Sequence, residues 1–328
     1  MKILHSGDWH LRHKHKYTSL VEGKIWDRLF EEKMKILQSI PIAAKKYEVD
    51  CVVITGDIFD TTNPPEAIKA EFCKLMFKFS SSRIGVYIIP GNHETSSLGN
   101  HVLMDIGTAF NSGDYIYVMK EGALPTDVNK VGLFHDMLDV VSDMYKKTVS
   151  INDEKFKPFK TILLGDYHSY WKKSYAGRFY TYSGSPYPTR FGETNHSVSL
   201  LSVTDEGVTE SIKRIQLKSY QMIETDKIDR NVSEWPFDTP AIIKYNVKVK
   251  PEKVKSAMSI CSQIRNHYLS FQECLDFVYT IKAKDTEKEK EDVQNRSVED
   301  VAFNYIKNNC PYPNEAEKEF KEILTSCK

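Results

Sequence analysis

Five short apolar runs over residues 2–168 each hand over to a polar residue, four of them through a glycine. Lys2-Ile-Leu-His-Ser-Gly7 leads to Asp8-Trp-His10, and Cys51-Val-Val-Ile-Thr-Gly56 leads to Asp57-Ile-Phe-Asp60. Val86-Tyr-Ile-Ile-Pro-Gly91 leads to Asn92-His-Glu94, Val131-Gly-Leu-Phe134 to His135, and Thr161-Ile-Leu-Leu-Gly165 to Asp166-Tyr-His168. A run of this length bounded by a turn residue predicts a buried strand. The glycine lets the chain turn sharply, so the next side chain projects from the strand's carboxyl end. That edge is where open α/β sheets bind ligands. As neighbouring strands, the five would gather Asp, Asn and His on one edge of one sheet.

Helical spacing fills the gaps. Over 23–47, Trp26, Leu29, Phe30, Ile36, Leu37 and Ile40 share a face, and Pro41 is predicted to kink or break the helix near its end. Asn63-Pro-Pro-Glu66 predicts a second helix start with Asn63 as the cap; Ile68, Phe72, Leu75, Met76 and Phe79 then form its core-facing stripe. Strand and helix alternate over 2–90 as a parallel βαβαβ unit. From 179 the pattern changes to strands joined by turns, at 179–182, 197–203 and 208–217, which suit an antiparallel continuation. Near Lys218 a new unit begins, with a strand at 241–250, a helix at 251–268 and a strand at 276–284. The expected division is 1–217, a small α/β domain over 218–284, and a tail over 285–328. The tail opens with a charged run, 285–292. Ser297-Val-Glu-Asp300 then reads as a capping box before a short helix with Val301, Tyr305 and Ile306 on one face, and a second short helix starts near Asn314.

The 328 residues suffice for about two domains. Lys+Arg and Asp+Glu are both 45, so any nucleic-acid surface must be a local patch rather than a global charge. Six cysteines without a C-x-x-C pair fit a reduced intracellular protein better than a disulfide framework. The apolar part of the amino terminus is only Ile3-Leu4, too short for a signal segment, and no run reaches membrane-spanning length. A soluble cytoplasmic protein without a membrane partner is expected. Asp, Asn and His without Cys form a mixed oxygen and nitrogen ligand set, suited to Mn²⁺, Fe²⁺, Mg²⁺ or Zn²⁺ rather than to a thiolate zinc site. The residues therefore point to a two-metal hydrolase.

Asp-x-His, Gly-Asp-x-x-Asp and Gly-Asn-His-Glu, in this order on a βαβαβ frame, resemble the calcineurin-like metallophosphoesterases. Residues 56–65, Ser183-Gly-Ser-Pro186 and Phe191-Gly-Glu193 resemble the SbcD branch, the bacterial and viral counterpart of the eukaryotic double-strand-break repair nuclease. The likeness covers 1–200 well, 218–284 loosely and the tail by position. The compact length and the Lys/Tyr-rich composition suit a viral version. The resemblance implies a four-layer αββα sandwich with a small α/β capping domain and a short helical tail. It also implies a DNA exonuclease and endonuclease acting on DNA ends in repair, recombination or replication. That enzyme would use Mn²⁺ (Mg²⁺ as the alternative), work with an SbcC-type ATPase and pair as a homodimer. On the family pattern Asp8, His10, Asp57 and His168 surround one metal, and Asp57, Asn92, His135 and position 166 the other. Asp57 bridges the two. His93 faces the substrate as the proton donor, oriented by Asp60. Where the family commonly has Gly-His-x-His, this chain has Gly165-Asp-Tyr-His168, so a hard, negative ligand stands at 166.

The basic stretch Arg12-His13-Lys14-His15-Lys16, with Lys172, Lys173, Arg178 and Arg190, is a candidate grip on the phosphate backbone. Tyr170, Trp171, Tyr180, Tyr182 and Tyr187 interleave with these cations as candidate stacking partners for bases. Val301, Tyr305 and Ile306 are the candidate contact with the ATPase. Two further readings compete: a stand-alone metallophosphatase or cyclic-nucleotide phosphodiesterase, and a catalytically idle scaffold for the ATPase.

Overall fold

In the computed structural model, which describes residues 1–12, 24–95, 102–107, 110, 113, 115–126, 130–141, 148–193 and 196–283, all five apolar runs are strands. In chain order the first elements are β1 (Lys2–Ser6), α1 (Lys24–Lys46), β2 (Cys51–Thr55), α2 (Glu66–Ser80), β3 (Gly85–Ile89), α3 (Val102–Gly107) and β4 (Ile116–Val118). Next come β5 (Gly122–Ala123), β6 (Val131–His135), β7 (Thr161–Gly165), β8 (Trp171–Tyr175) and β9 (Arg178–Tyr182). The last are β10 (Ser197–Val203), β11 (Thr209–Gln216), β12 (Gln221–Thr225), β13 (Ala241–Val249), α4 (Val254–Tyr268) and β14 (Cys274–Ala283).

The chain divides by its contacts into two units, Met1–Tyr245 with Ile264–Tyr279, and Asn246–Gln263 with Thr280–Lys328. In the first unit one sheet has the order β11-β10-β1-β2-β3-β4 and another the order β5-β6-β7-β9-β8. β12-β13-β14 form a smaller third sheet. In the second unit a 3-10 turn, Pro251–Lys253, leads into α4, with the proline at the first position, where its missing N–H removes no bond.

Successive side chains of a strand point to opposite faces, and here both faces are buried. Leu4, Val52 and Ile54 pack with Leu37, Ile40, Phe72 and Met76 of α1 and α2. Ile3, Cys51 and Val53 pack with Leu133 and Leu163 of the second sheet. The outer face of that sheet, Phe134, Ile162, Leu164, Tyr180 and Tyr182, is covered by Leu138, Ile151, Phe156 and Phe159. The order is helices, sheet, sheet and a thin fourth layer, which among the described residues is loop and the 3-10 turn Glu154–Phe156.

Several local expectations change. The five strands lie on two sheets, not one: β1, β2 and β3 are in the first, β6 and β7 in the second. Both sheets deliver their carboxyl ends to the same place. The 179–182 strand belongs to the second sheet, parallel to β7 and antiparallel to β8, whereas β10 and β11 are antiparallel as expected. β8 escapes the sequence pattern because Lys172, Lys173 and Ser174 are all exposed, so no alternation marks it. α1 runs through Pro41 to Lys46, since losing one amide donor near the end is offset by buried Ile40, Ala43 and Ala44. Asn63 is not the cap of α2. Pro65 takes that place, its carbonyl accepting from the Ile68 and Lys69 amides. Trp26, the tail helices and residues 284–328 lie outside the described side chains and residues.

The stripe on α2 is buried as expected, and it reaches further than core packing. Phe72 meets Phe59 edge-on at 5.4 Å and Trp9 at 6.3 Å between ring centroids. Trp9 sits between Asp8 and His10, and Phe59 between Asp57 and Asp60, so one ring props both loops. Phe72→Ala is expected to lower stability by about 3–5 kcal/mol, read as a lower urea midpoint at unchanged m-value.

Candidate metal centre

The polar residues after the strands are held in an unusual backbone. Asp8, His10, Asp57 and Asp166 have φ of 54°, 44°, 50° and 89°, the left-handed region that side chains with a Cβ disfavour by roughly 1–2 kcal/mol each. Such residues persist where surrounding bonds over-determine them. Here the loops after β1 and β2 continue the parallel ladder beyond the strands. The amides of Asp8, His10 and Leu11 donate to the carbonyls of Gly56, Asp57 and Ile58 at 3.0, 2.8 and 2.7 Å. Gly91 lies against Asp57, where a Cβ would overlap the carboxylate and its backbone.

Three imidazoles face inward from this frame. His10 Nδ1 lies 3.1 Å from Asp60 Oδ1, His168 Nδ1 lies 2.8 Å from Glu193 Oε1, and His135 Nδ1 lies 2.7 Å from the Thr55 carbonyl oxygen. Carboxylates and carbonyls only accept, so each Nδ1 carries the proton and donates it outward. Each Nε2 is thereby turned to the centre. His10 Nε2 faces His168 Nε2 at 3.1 Å. His135 Nε2 is buried without a hydrogen-bond partner, 3.3 Å from Asp57 Oδ2. Asp8, His10 and His168 offer ligand atoms to one point, and Asp8, Asp57 and His135 to another. Asp166 lies at the rim, 4.0 Å from His135 Nε2, and accepts from Asn92 Nδ2 at 3.3 Å.

The charge balance favours a cation. Burial pushes Asp8 up to about 6, so it resists carrying charge without a counter-ion, and pushes His10 down to about 4, which keeps that imidazole neutral. Burial also pushes Asp57 up, but His135, His10 and His93 outweigh it and hold its carboxyl well below the usual range. Burial alone would lower His135, yet Asp57 and Asp8 raise it well above the ordinary histidine value. A cation entering beside Asp57 competes with that proton. The donor set fits a divalent cation: carboxylates, imidazoles with their outer nitrogens fixed, and a buried His135 Nε2 aimed inward without a hydrogen-bond partner.

Asp60, His10 and His93 also cluster, but differently. Asp60 Oδ1 is 3.1 Å from His10 Nδ1 and 3.4 Å from His93 Nδ1, while Oδ2 accepts from Arg12. Both imidazoles turn Nδ1 to one carboxylate, and the His93 side chain is 41% exposed.

Of the expected phosphate-gripping residues, Lys172, Lys173 and Arg190 are exposed, Arg12 is engaged by Asp60, and His13, Lys14 and Lys16 lie outside the described residues. Val301, Tyr305 and Ile306 lie outside them too. Tyr180, Tyr182 and Tyr187 are fully buried and cannot stack on bases. Their hydroxyls donate to the carbonyls of Ile151, Asp136 and Trp9 instead. Tyr170 and Trp171 stay partly exposed. Sequence reasoning missed Glu94, which is fully buried and accepts from the amides of Phe59 and Gly91 at 2.8 Å each. It ties the loop after β2 to the loop after β3. Its place in Gly-Asn-His-Glu was the only signal. Ser185 was likewise unassigned: its hydroxyl reaches the Asp8 carbonyl at 2.9 Å and its amide the His168 carbonyl at 2.9 Å.

Two facing sheets with a divalent-metal ligand set at their joined carboxyl ends define a metallophosphoesterase. The chain belongs to the calcineurin-like phosphoesterase family, whose model matches residues 1–179. It is 26% identical over 268 residues to the DNA double-strand break repair protein Mre11 of Methanosarcina mazei, covering 73% of this chain and 41% of that protein. The chain thus spans about two fifths of that relative's length. It is 33% identical over 95 residues to the SbcD component of the nuclease SbcCD of Bacillus subtilis, covering 29% of this chain and 22% of that one. Among solved structures, an archaeal phosphodiesterase aligns over 66% of this chain and all of its own, at 12% identity and a TM-score of 0.40. The family expected from the motifs is borne out. No described helix is long and apolar enough to cross a membrane.

Removing the tie between the loops should be felt at once. Glu94→Ala leaves two buried amides without acceptors and is expected to cost about 2–4 kcal/mol. Urea unfolding checks the stability, and divalent-metal titration of the folded variant should show weakened binding.

Proposed function

We propose that this chain is the nuclease component of an SbcCD-like complex, a phosphodiesterase that cleaves DNA at ends with the aid of an SbcC-type ATPase. It would hold two divalent cations, Mn²⁺ by preference. The observation that carries the reading is the inward convergence of His10 and His135 Nε2 on Asp57, with His168 Nε2 facing His10 beside Asp8. The Mre11 and SbcD names of the similar proteins support DNA as the substrate. Asp8, His10, Asp57 and His168 would hold one cation, and Asp57, Asn92, His135 and Asp166 the other, with Asp57 common to both sets. When bound, the cations supply Lewis acidity toward the phosphoryl oxygens and acidify a water.

The remaining steps belong to the protein. His93, partly exposed and oriented by Asp60 through Nδ1, donates a proton from Nε2 to the leaving 3′-oxygen. Histidine is the side chain suited to this, because it can both hold and give a proton near neutrality. Arg12 holds Asp60 in place for both histidines. Lys172, Lys173 and Arg190, exposed at the surface, grip the phosphate backbone, a contact that carries little sequence information. In this reading 1–217 is the nuclease domain, 218–284 the capping domain and 285–328 the tail that docks the ATPase. Two copies pair as a homodimer. Asp166 adds charge where relatives of this type commonly have histidine, favouring metal retention over pull on the phosphate.

End-labelled duplex, incubated with Mn²⁺ or Mg²⁺ with and without the ATPase and ATP, tests the activity. A chromogenic phosphomonoester turned over faster than DNA would overturn the nuclease reading in favour of a stand-alone phosphatase. His93→Ala is expected to lower kcat by about 10²–10⁴-fold with metal stoichiometry intact, whereas Asp57→Ala should abolish both. Asp166→His should weaken metal binding in calorimetry, and unchanged affinity would remove the role given to that carboxylate.

A further inference from the structure

Phe191-Gly-Glu193 marks the chain in sequence, and beyond its contact with His168 the reaction proposed above gives Glu193 no role. Glu193 lies on the segment after β9, and its carboxylate is fully engaged on both sides. Oε1 is 2.8 Å from His168 Nδ1 and 3.1 Å from Thr189 Oγ1. Oε2 accepts from the backbone amides of Thr189 and Arg190 at 2.6 and 3.0 Å and lies 3.1 Å from Thr189 Oγ1. Thr189 Oγ1 is in turn 2.7 Å from His168 Nδ1. Glu193 and Thr189 therefore close around the outer nitrogen of one imidazole, while the same carboxylate fixes the amide of exposed Arg190.

We propose that Glu193 is a positioning residue: it locks His168 as an Nε2 ligand of the first cation and, through the same carboxylate, sets the posture of Arg190. The inference rests on the two-cation reading above. The chemistry requires a carboxylate. Every group facing it donates, the imidazole N–H on one side and two backbone N–H groups on the other, and only a carboxylate accepts on both oxygens. An amide has one accepting oxygen. If that oxygen serves the turn, an NH₂ confronts the His168 Nδ1–H, and the ring loses the partner that fixes its tautomer and direction. Outer partners of this kind are typically worth about 10–100-fold in metal affinity.

Glu193→Gln separates this role from turn capping, because the amide oxygen still satisfies Thr189 and Arg190. Calorimetric Mn²⁺ titration of the full chain is expected to give two ions in the parent. In the variant, one should be weakened by about 10–100-fold and the other unchanged. Phosphodiester turnover should recover at high Mn²⁺, and KM for duplex should stay as in the parent, because the Arg190 amide keeps its acceptor. A folded Glu193→Gln that binds both ions as the parent does would overturn the proposal and leave Glu193 a turn cap. Should that variant fail to fold, the ¹⁵N spectrum of the Mg²⁺-loaded parent decides: a His168 ring protonated at Nδ1 supports the proposal, and one protonated at Nε2 overturns it. A parent chain that binds no Mn²⁺ would instead sink the two-cation reading itself.

Discussion

Two imidazole nitrogens, His10 Nε2 and His168 Nε2, face each other at 3.1 Å, and neither ring can turn away. Asp60 grips one ring from behind and Glu193 the other, each through Nδ1. Facing nitrogens of this kind are tolerable only with positive charge at hand, a proton or a metal cation. Asp57 sharpens the demand, since its carboxylate stays ionised in a buried place 3.3 Å from a third imidazole whose inner nitrogen has no hydrogen-bond partner. The centre is thus defined less by its inner ligands than by the outer bonds that stop them from satisfying one another.

Those outer bonds need a rigid frame, and the frame is built from residues in costly conformations. Four candidate ligands sit at positive φ without being glycine. Asp8, His10 and Asp57 are held by the continuation of the β1–β2 ladder past the strand ends, with Glu94 tying in the loop after β3, and the Asp166 amide donates to Asp8 Oδ1 at 2.9 Å. Gly91 lets that third loop come up against Asp57, where any side chain would intrude. Phe72 then props Trp9 and Phe59 from the helix side, so the packing of α2 reaches the spaces between the ligands. Stability and chemistry share these residues, and strain at the site is balanced by the core beneath it.

The second sheet contributes His135, Asp166 and His168, and its approach is fixed by apolar contact. Ile3, Cys51 and Val53 on one sheet meet Leu133 and Leu163 on the other, which sets their carboxyl ends side by side. Thr55 shows how close they come: its carbonyl accepts from His135 on the opposite sheet at 2.7 Å. A family fold recognised over residues 1–179 is therefore also a statement about which two edges meet.

Short apolar runs that end in a turn residue and an Asp, Asn or His are a local property, so the strands, the α2 stripe and the candidate ligands could be read along the chain. Binary pattern and turn chemistry act over a few residues and leave their mark in order. Whether those strands lay on one sheet or two was not local, because it depends on which apolar faces find each other across the core. The same holds for Tyr180, Tyr182 and Tyr187, which look like stacking residues beside basic neighbours but are buried by the layers around them. Glu94 and Glu193 were visible only as letters in a motif. Their task, accepting hydrogen bonds from residues up to 35 positions away, exists only once the loops have been brought together, since a buried donor finds its partner by proximity in space and not by spacing in the chain.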